Sequence, residues 1–268
     1  MESALNILQH LPPSNINNSL DSVLDIAPHL AEDLLPLVDQ PLTLENDSLS
    51  NRQFLCCDHN RDVDSFRSPF SNTYFPALED GILPPDNLRL LEIQANEAFS
   101  VYQHLYYDNA YSSAYFFPDL TDETAFGACI LFKKDVDPFG PLSLGSWDSI
   151  HVFKVTPKDG KDFLYELTST IMLTLKTSSE KTGKLDLEGT LKRNLSQTVP
   201  VTAINTHIAN MGKMLEETEN RMRDELENVY FNRTRDMIAE LHREAPEIKR
   251  DVMIADLRSK LLSRKLVE

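Results

Sequence analysis

The run Asp58-His59-Asn60-Arg61-Asp62-Val63-Asp64 sets oxygen-bearing side chains at alternate positions, as a loop that wraps calcium in carboxylates and carbonyls does. The rest of that chemistry is missing. A calcium loop needs glycine at its sixth position and a bidentate glutamate at its twelfth, and this chain has Val63 and Pro69 there. Arg61 would also oppose a cation. The run reads instead as a turn stitched by side-chain hydrogen bonds, with Asp62 and Asp64 near Arg61 and Arg67.

The other chemistry-bearing residues are scattered. His10, His29, His59, His104, His151, His207 and His242 show no HExxH or paired spacing, so no metal site is expected, and His151 reads as a core or hydrogen-bonded residue. Cys56, Cys57 and Cys129 are odd in number and lack CxxC spacing, which argues for buried thiols over a disulfide framework or a zinc site. There is no GxSxG elbow, P-loop or GxGxxG, and eight glycines leave little material for a phosphate cradle. A non-enzymatic binding or structural protein without a cofactor is the favoured reading. The rival is a hydrolase or transferase built on the sheet described below, which would need a titratable cluster in a deep pocket.

Composition narrows the partners. A net charge of −16 opposes a phosphate-tracking surface, so nucleic acid is not expected. The 41% hydrophobic and 25% charged fractions suit a globular protein, and no apolar run approaches the roughly 20 residues of a membrane span. The first residues lack a positive region followed by an apolar core, so the cytosol is the expected compartment. Triplets such as Asn46-Asp47-Ser48 are then chance matches to glycosylation sites.

The elements that would position these residues fall into five segments. Residues 1–42 read as three short helices, Ala4 to Leu11, Ser14 to Ile26 and Pro28 to Val38, broken by Pro12-Pro13 and Pro28 and each apolar on one face, a stalk-like bundle. Residues 43–110 begin as ordered loop with little strand and end in a helix from Asn87 to about Tyr107, capped by Asp86. Residues 111–200 change to strand periodicity, with runs at Ser113 to Phe117, Phe126 to Lys133, Ser149 to Val155, Phe163 to Leu175 and Leu185 to Leu195. Lys158-Asp159-Gly160-Lys161 is a hairpin signal, so an antiparallel meander is expected. The fold class is α+β.

Residues 201–245 read as a long helix, about Asn205 to Leu241, covering one face of the sheet. At about 1.5 Å per residue it spans about 50 Å and overhangs five strands at about 4.8 Å each, a hint that a second subunit or another helix layer continues the structure. Residues 246–268 form a basic amphipathic arm. Lys249 to Glu268 holds six Lys+Arg against three Asp+Glu, and on a helix Met253, Leu257 and Leu261 share one stripe flanked by Ile254 and Leu262. Such a stripe can dock on its own domain, lie on a membrane, or fill a groove in another protein.

Several runs, in order, resemble the beta subunit of the heterodimeric F-actin-capping protein family over nearly the whole chain. They are Cys57 to Asp62 with Asp64 to Asn72, Trp147 to Val152, Leu167 to Leu173 and His207 to Gly212, with Glu32 to Leu35 and Val38 to Leu42 nearer the start. His59 stands where that family usually has tyrosine, and Phe70 where it often has tryptophan. The resemblance implies the same order of elements, and an alpha subunit of similar shape that completes a ten-stranded sheet. It also implies binding to the actin filament barbed end, where the complex blocks subunit addition and loss without calcium or catalysis. By position it implies actin-binding roles for Arg221, Arg223, Met253, Ile254, Leu257 and Leu261. Arg221 can equally make an ordinary helix ion pair with Glu217 or Glu225. Phosphoinositides and peptide-motif proteins that bind the stalk are implied as regulators, and the cytoplasm and cortical actin cytoskeleton as the location.

Overall fold

The computed structural model describes residues 12–34, 38–120, 122, 124–136, 143–179, 183–203, 205–233 and 235–236. The expected first helix and the arm residues Met253, Ile254, Leu257 and Leu261 lie outside them. Two units are distinguished, Met1–Met222 and Arg223–Glu268.

In the first unit, helix α1 (Pro13–Ile26) begins at Pro13, where the missing proline N–H costs nothing. The expected third helix is seen as a 3-10 turn at Pro28–Leu30 leading into α2 (Ala31–Leu34), and Val38 N–H donates to Leu34 O at 3.1 Å.

Residues 43–85 hold more strand than the loop reading allows. Strands β1 (Thr43–Asp47) and β2 (Arg52–Cys56) form a hairpin, and β3 (Arg61–Asp62), β4 (Ser65–Arg67) and β5 (Tyr74–Phe75) form a small antiparallel sheet. They are too short to show a period, and side-chain hydrogen bonds hold their turns. Asp47 Oδ1 accepts from the backbone N–H of Leu49 and Ser50 at 2.9 and 3.0 Å, while Oδ2 accepts from Ser68 Oγ and Ser71 N–H at 2.6 and 3.1 Å. Helix α3 (Asp86–Tyr106) follows; Pro85 occupies its cap, so Asp86 lies in the first turn and is not the capping residue.

The central sheet is the expected meander, ordered β10-β9-β8-β7-β6 and antiparallel throughout. Its strands are β6 (Tyr111–Pro118), β7 (Phe126–Val136), β8 (Ser143–Pro157), β9 (Asp162–Ser179) and β10 (Gly183–Pro200). The last three run well past their apolar stretches. Backbone pairing continues under polar side chains such as Ser146, opposite Thr174, because a ladder needs only amides to pair. Gly160, at φ +70°, makes the β8–β9 turn, where Lys158 N–H donates to Asp162 O at 2.8 Å.

Side-chain alternation splits the core in two. Phe116, Ile130, Phe132, Phe153 and Leu167 point toward α3 and helix α4 (Thr206–Leu226), packing with Leu91, Phe99, Met211 and Leu215. Tyr115, Cys129, Leu131, Ile150 and Met172 face the other way, against Ile16, Leu20, Leu34 and Leu55. Both faces are therefore covered, the second by α1, α2 and β2. Asp39 ties this layer down by accepting from Thr170 Oγ1 at 2.7 Å and Lys192 Nζ at 3.0 Å.

In the second unit, regular α-helix ends at Leu226 and gives way to a π-helical turn, Glu227–Asn232. The long helix expected to about Leu241 thus changes geometry there, with α-helical residues again at Arg233, Arg235 and Asp236, and the residues beyond 236 lie outside the described structure. Gly212 lies within unbroken helix.

Candidate functional site

The run that carries the resemblance is held by one carboxylate. Glu92 sits on the apolar face of α3 among Leu88, Leu91, Ala95 and Phe99, and it is fully buried. It receives Arg67 Nη1 and Nη2 at 2.8 and 2.7 Å, the Arg89 guanidinium, and Phe116 N–H at 2.9 Å. Burial alone would lower the Arg67 pKa, but the hydrogen bonds and charge of Glu92 raise it. Arg67 thus turns inward, and the expected pairing with Asp62 and Asp64 is corrected. Arg61 takes part of that role, 3.9 Å from Asp58 and 3.5 Å from Asp64, and its Nε donates to Val63 O at 2.7 Å. Arg89 also donates to Pro69 O and Phe70 O, and Asn60 Nδ2 donates to Arg67 O. The segment 57–72 is therefore a rigid, internally bonded surface.

The same helix closes one edge of the sheet. Asn96 Nδ2 donates to Ala114 O at 2.8 Å, and Asn96 Oδ1 accepts from Ala114 N–H at 3.0 Å. With Phe116 N–H on Glu92, three backbone groups in the middle of β6 have side-chain partners, which opposes pairing there. At the other end β10 is a half-exposed strand of 18 residues.

Helix α4 is anchored through Glu219, which lies between Leu215 and Met222 on its buried face. Tyr102 on α3 donates to Glu219 Oε2 at 2.7 Å, and the Tyr107 hydroxyl donates to Oε1. His151 Nε2 lies 2.9 Å from Oε1, and His151 Nδ1 lies 2.9 Å from Ser169 Oγ. Ser169, His151 and Glu219 have the connectivity of a hydrolytic triad, yet all three are solvent-inaccessible. No substrate can reach Ser169 there, so the trio works as a clamp joining α3, α4 and the sheet. The expectation for His151 holds in both its forms.

Of the expected site residues, Arg221 is exposed and pairs with Glu217, the ordinary helix pair of the alternative reading. Arg223 is half-buried on the same helix. The four arm residues lie outside the described structure. Among the described residues no group of three His, Cys, Asp or Glu converges as a metal site, and no helix is long and apolar enough to cross a membrane. A cavity of about 490 Å³ is lined by Asp39, Gln40, Cys56, Cys57, Asp58 and His59, among others. Burial pushes the His59 pKa down and the Asp58 pKa up.

Glu92, Glu219, Asn96 and Asp47 escaped the motif reading. Two had a signal: each glutamate interrupts an apolar helical stripe, where a charge must be paired. Asn96 and Asp47 bond to backbone from distant elements, which no local spacing reveals.

A profile described as "F-actin capping protein, beta subunit" matches residues 1–238. The chain is 43% identical over 267 residues to "F-actin-capping protein subunit beta" of Drosophila melanogaster, covering 96% of this chain and 95% of that one. It is 40% identical over 267 residues to the Caenorhabditis elegans protein of the same name, covering 98% and 97%. Among solved structures it is similar to the homodimeric actin capping protein alpha subunit from Plasmodium berghei, with TM-score 0.54 and 15% identity, covering 91% of this chain and 96% of that one. That likeness is one of fold. An ordered set of signature runs, a rigid segment built from the first of them, and identity sustained along nearly full-length relatives place this chain in the F-actin capping protein beta-subunit family.

Proposed function

We propose that this chain is the beta subunit of a heterodimeric actin-capping protein that occupies filament barbed ends and blocks subunit addition and loss, with neither catalysis nor a calcium requirement. The observation that carries the reading is the 43% identity over 267 residues to a protein named as such a subunit. A cap works by covering terminal surfaces that the next monomer needs, so tight, slowly reversed binding suffices. This places the protein in the cytoplasm, at the cortical actin cytoskeleton.

The alpha subunit pairs with the sheet at β10. Asn96 and Glu92 occupy the β6 edge, whereas β10 offers a long ladder of amides. The relative from Plasmodium berghei, similar in fold, is described as a homodimer. Actin is met by Arg221, Arg223 and the arm, whose stripe of Met253, Leu257 and Leu261, flanked by Ile254, enters an apolar cleft. The Arg221–Glu217 pair is exposed and worth at most about 1 kcal/mol, so it yields readily to a stronger acidic partner. Phosphoinositides and peptide-motif proteins acting on the stalk are the regulators this reading carries.

The test is elongation from filament seeds with the chain coexpressed with an alpha subunit. Arrest at nanomolar complex supports the proposal, and unchanged growth at micromolar complex rejects it.

A further inference from the structure

Helix α3 has a second apolar face, turned to solvent. Leu90, Ile93, Val101 and Leu105 are 51, 42, 60 and 75% exposed. With Glu97 between Ile93 and Val101 they recur at threes and fours, so they line one side of the helix, away from Leu91, Ala95 and Phe99 in the core. At about 1.5 Å per residue the stripe runs about 22 Å, or about four turns. A cavity of about 450 Å³ opens beside it, walled by Ile93, Glu97 and Ser100 of α3, by Arg52 of β2, and by Pro69 and Phe70. The Arg52 guanidinium lies over the Phe70 ring, 3.7 Å from its centroid, which holds that wall in place. Single exposed apolar side chains are ordinary, but four in register beside a cavity make a surface that a partner can cover.

Charge says what fits. Asp86 and Glu97 are exposed on the same side, and Arg89, the only Lys or Arg in α3, turns inward to Glu92 and to the carbonyls of Pro69 and Phe70. An acidic and apolar helix face is complementary to a basic amphipathic helix. A second copy fits poorly, because a two-fold contact on this face sets Glu97 beside its own counterpart. The alpha subunit, on the reading given above, is engaged at β10, the edge of the sheet opposite the β6 strand that α3 covers. We propose that the solvent face of α3 is a docking site for a basic amphipathic helix of a partner protein. One bulky apolar side chain of that helix sits in the cavity against Ile93 and Phe70, its stripe lies on Leu90, Val101 and Leu105, and its flanking Lys or Arg side chains pair with Asp86 and Glu97. None of these residues is among those assigned to actin.

The experiment uses the purified full-length chain in the assembly it forms on expression. The probe is a fluorescent synthetic helix of about 18 residues, with leucines at threes and fours, one of them replaced by a photoreactive analogue, and lysines elsewhere. A scrambled peptide of the same composition is the control. The expected result is saturable binding of the helix at about 1–10 μM, with photolabelling confined to residues 50–52, 69–70 and 86–106. Glu97→Lys, and Val101→Ser combined with Leu105→Ser, weaken binding at least about tenfold, and these side chains are exposed, so the fold is kept. Asp21→Lys, an equal change of charge on the exposed side of α1, alters binding by less than about twofold. Equal binding of the scrambled peptide, equal effects of Asp21→Lys and Glu97→Lys, labelling elsewhere, or no saturation by about 100 μM overturns the proposal. So does self-association that the Val101 and Leu105 changes abolish, which assigns the face to a second copy. None of these readouts involves actin, so they stand apart from the fate of the capping proposal.

Discussion

Arg67 and Glu92 form a bidentate ion pair at 2.8 and 2.7 Å with both side chains almost wholly buried, joining the strand β4 to the core face of α3. Glu92 also accepts from Arg89 and from the backbone of β6, so one carboxylate serves four donors on three elements. Removing one partner of such a pair strands the other charge in a low-dielectric interior. Glu92→Ala is expected to destabilise the protein by about 3–5 kcal/mol, read from chemical denaturation. Arg61→Ala, which removes an exposed arginine, is expected to cost less than about 1 kcal/mol.

The clamp under α4 yields a second prediction. His151 and Glu219 are in direct contact at 2.9 Å and share their partners Ser169, Tyr102 and Tyr107 with the sheet and α3. His151→Ala and Glu219→Ala should each cost about 2–4 kcal/mol, and the double variant should cost less than their sum by about 1–3 kcal/mol. Additive costs in unfolding experiments would show that the pair does not act as a unit.

Much of this was legible beforehand, for stateable reasons. The five strands, the hairpin at Gly160 and the two main helices follow from periodicity and turn chemistry sustained over many residues. The strands at 43–75 did not, because elements of two to five residues show no period and depend on Asp47, Asn60 and Glu92 for their bonds. Arg67 pointed inward against expectation because its partner lies 25 residues away on a helix. The arm's apolar stripe was plain in the sequence, and the residues that carry it lie outside the described structure.

Val63 sits at φ +53° with its side chain 72% exposed, in the turn between β3 and β4. A β-branched residue in the left-handed region is strained, and here burial returns nothing. Val63→Gly is expected to stabilise the fold by about 1 kcal/mol, seen as a raised unfolding midpoint.

Acid should act in two windows. Burial pushes the His207 pKa below 6.5, beside the Tyr165 hydroxyl at 2.8 Å, so the unfolded chain takes up its proton first and stability falls as pH drops below about 6.5. Burial alone would raise the Asp47 carboxyl, but bonds from Ser68, Ser50 and Ser71 hold it well below its usual 3.8, so its contribution persists above that value and is lost as pH falls below it. His207→Gln should make the fall in stability between pH 7 and 5 shallower, with His59, whose pKa burial also lowers, supplying the slope that remains. A variant with the wild-type slope in that window would contradict the assignment.

The most direct measurement is single-filament imaging of growth at both ends, with this chain coexpressed with an alpha subunit, beside the same complex truncated after Pro246. The intact complex is predicted to stop barbed-end growth and leave pointed-end growth untouched. Truncation should weaken the arrest sharply while the dimer stays whole. Replacing Leu257 and Leu261 by Ala should weaken it by two to four orders of magnitude, at about 1.5–3 kcal/mol for each buried aliphatic side chain. Barbed ends that keep growing beside a saturating, intact complex would contradict the account.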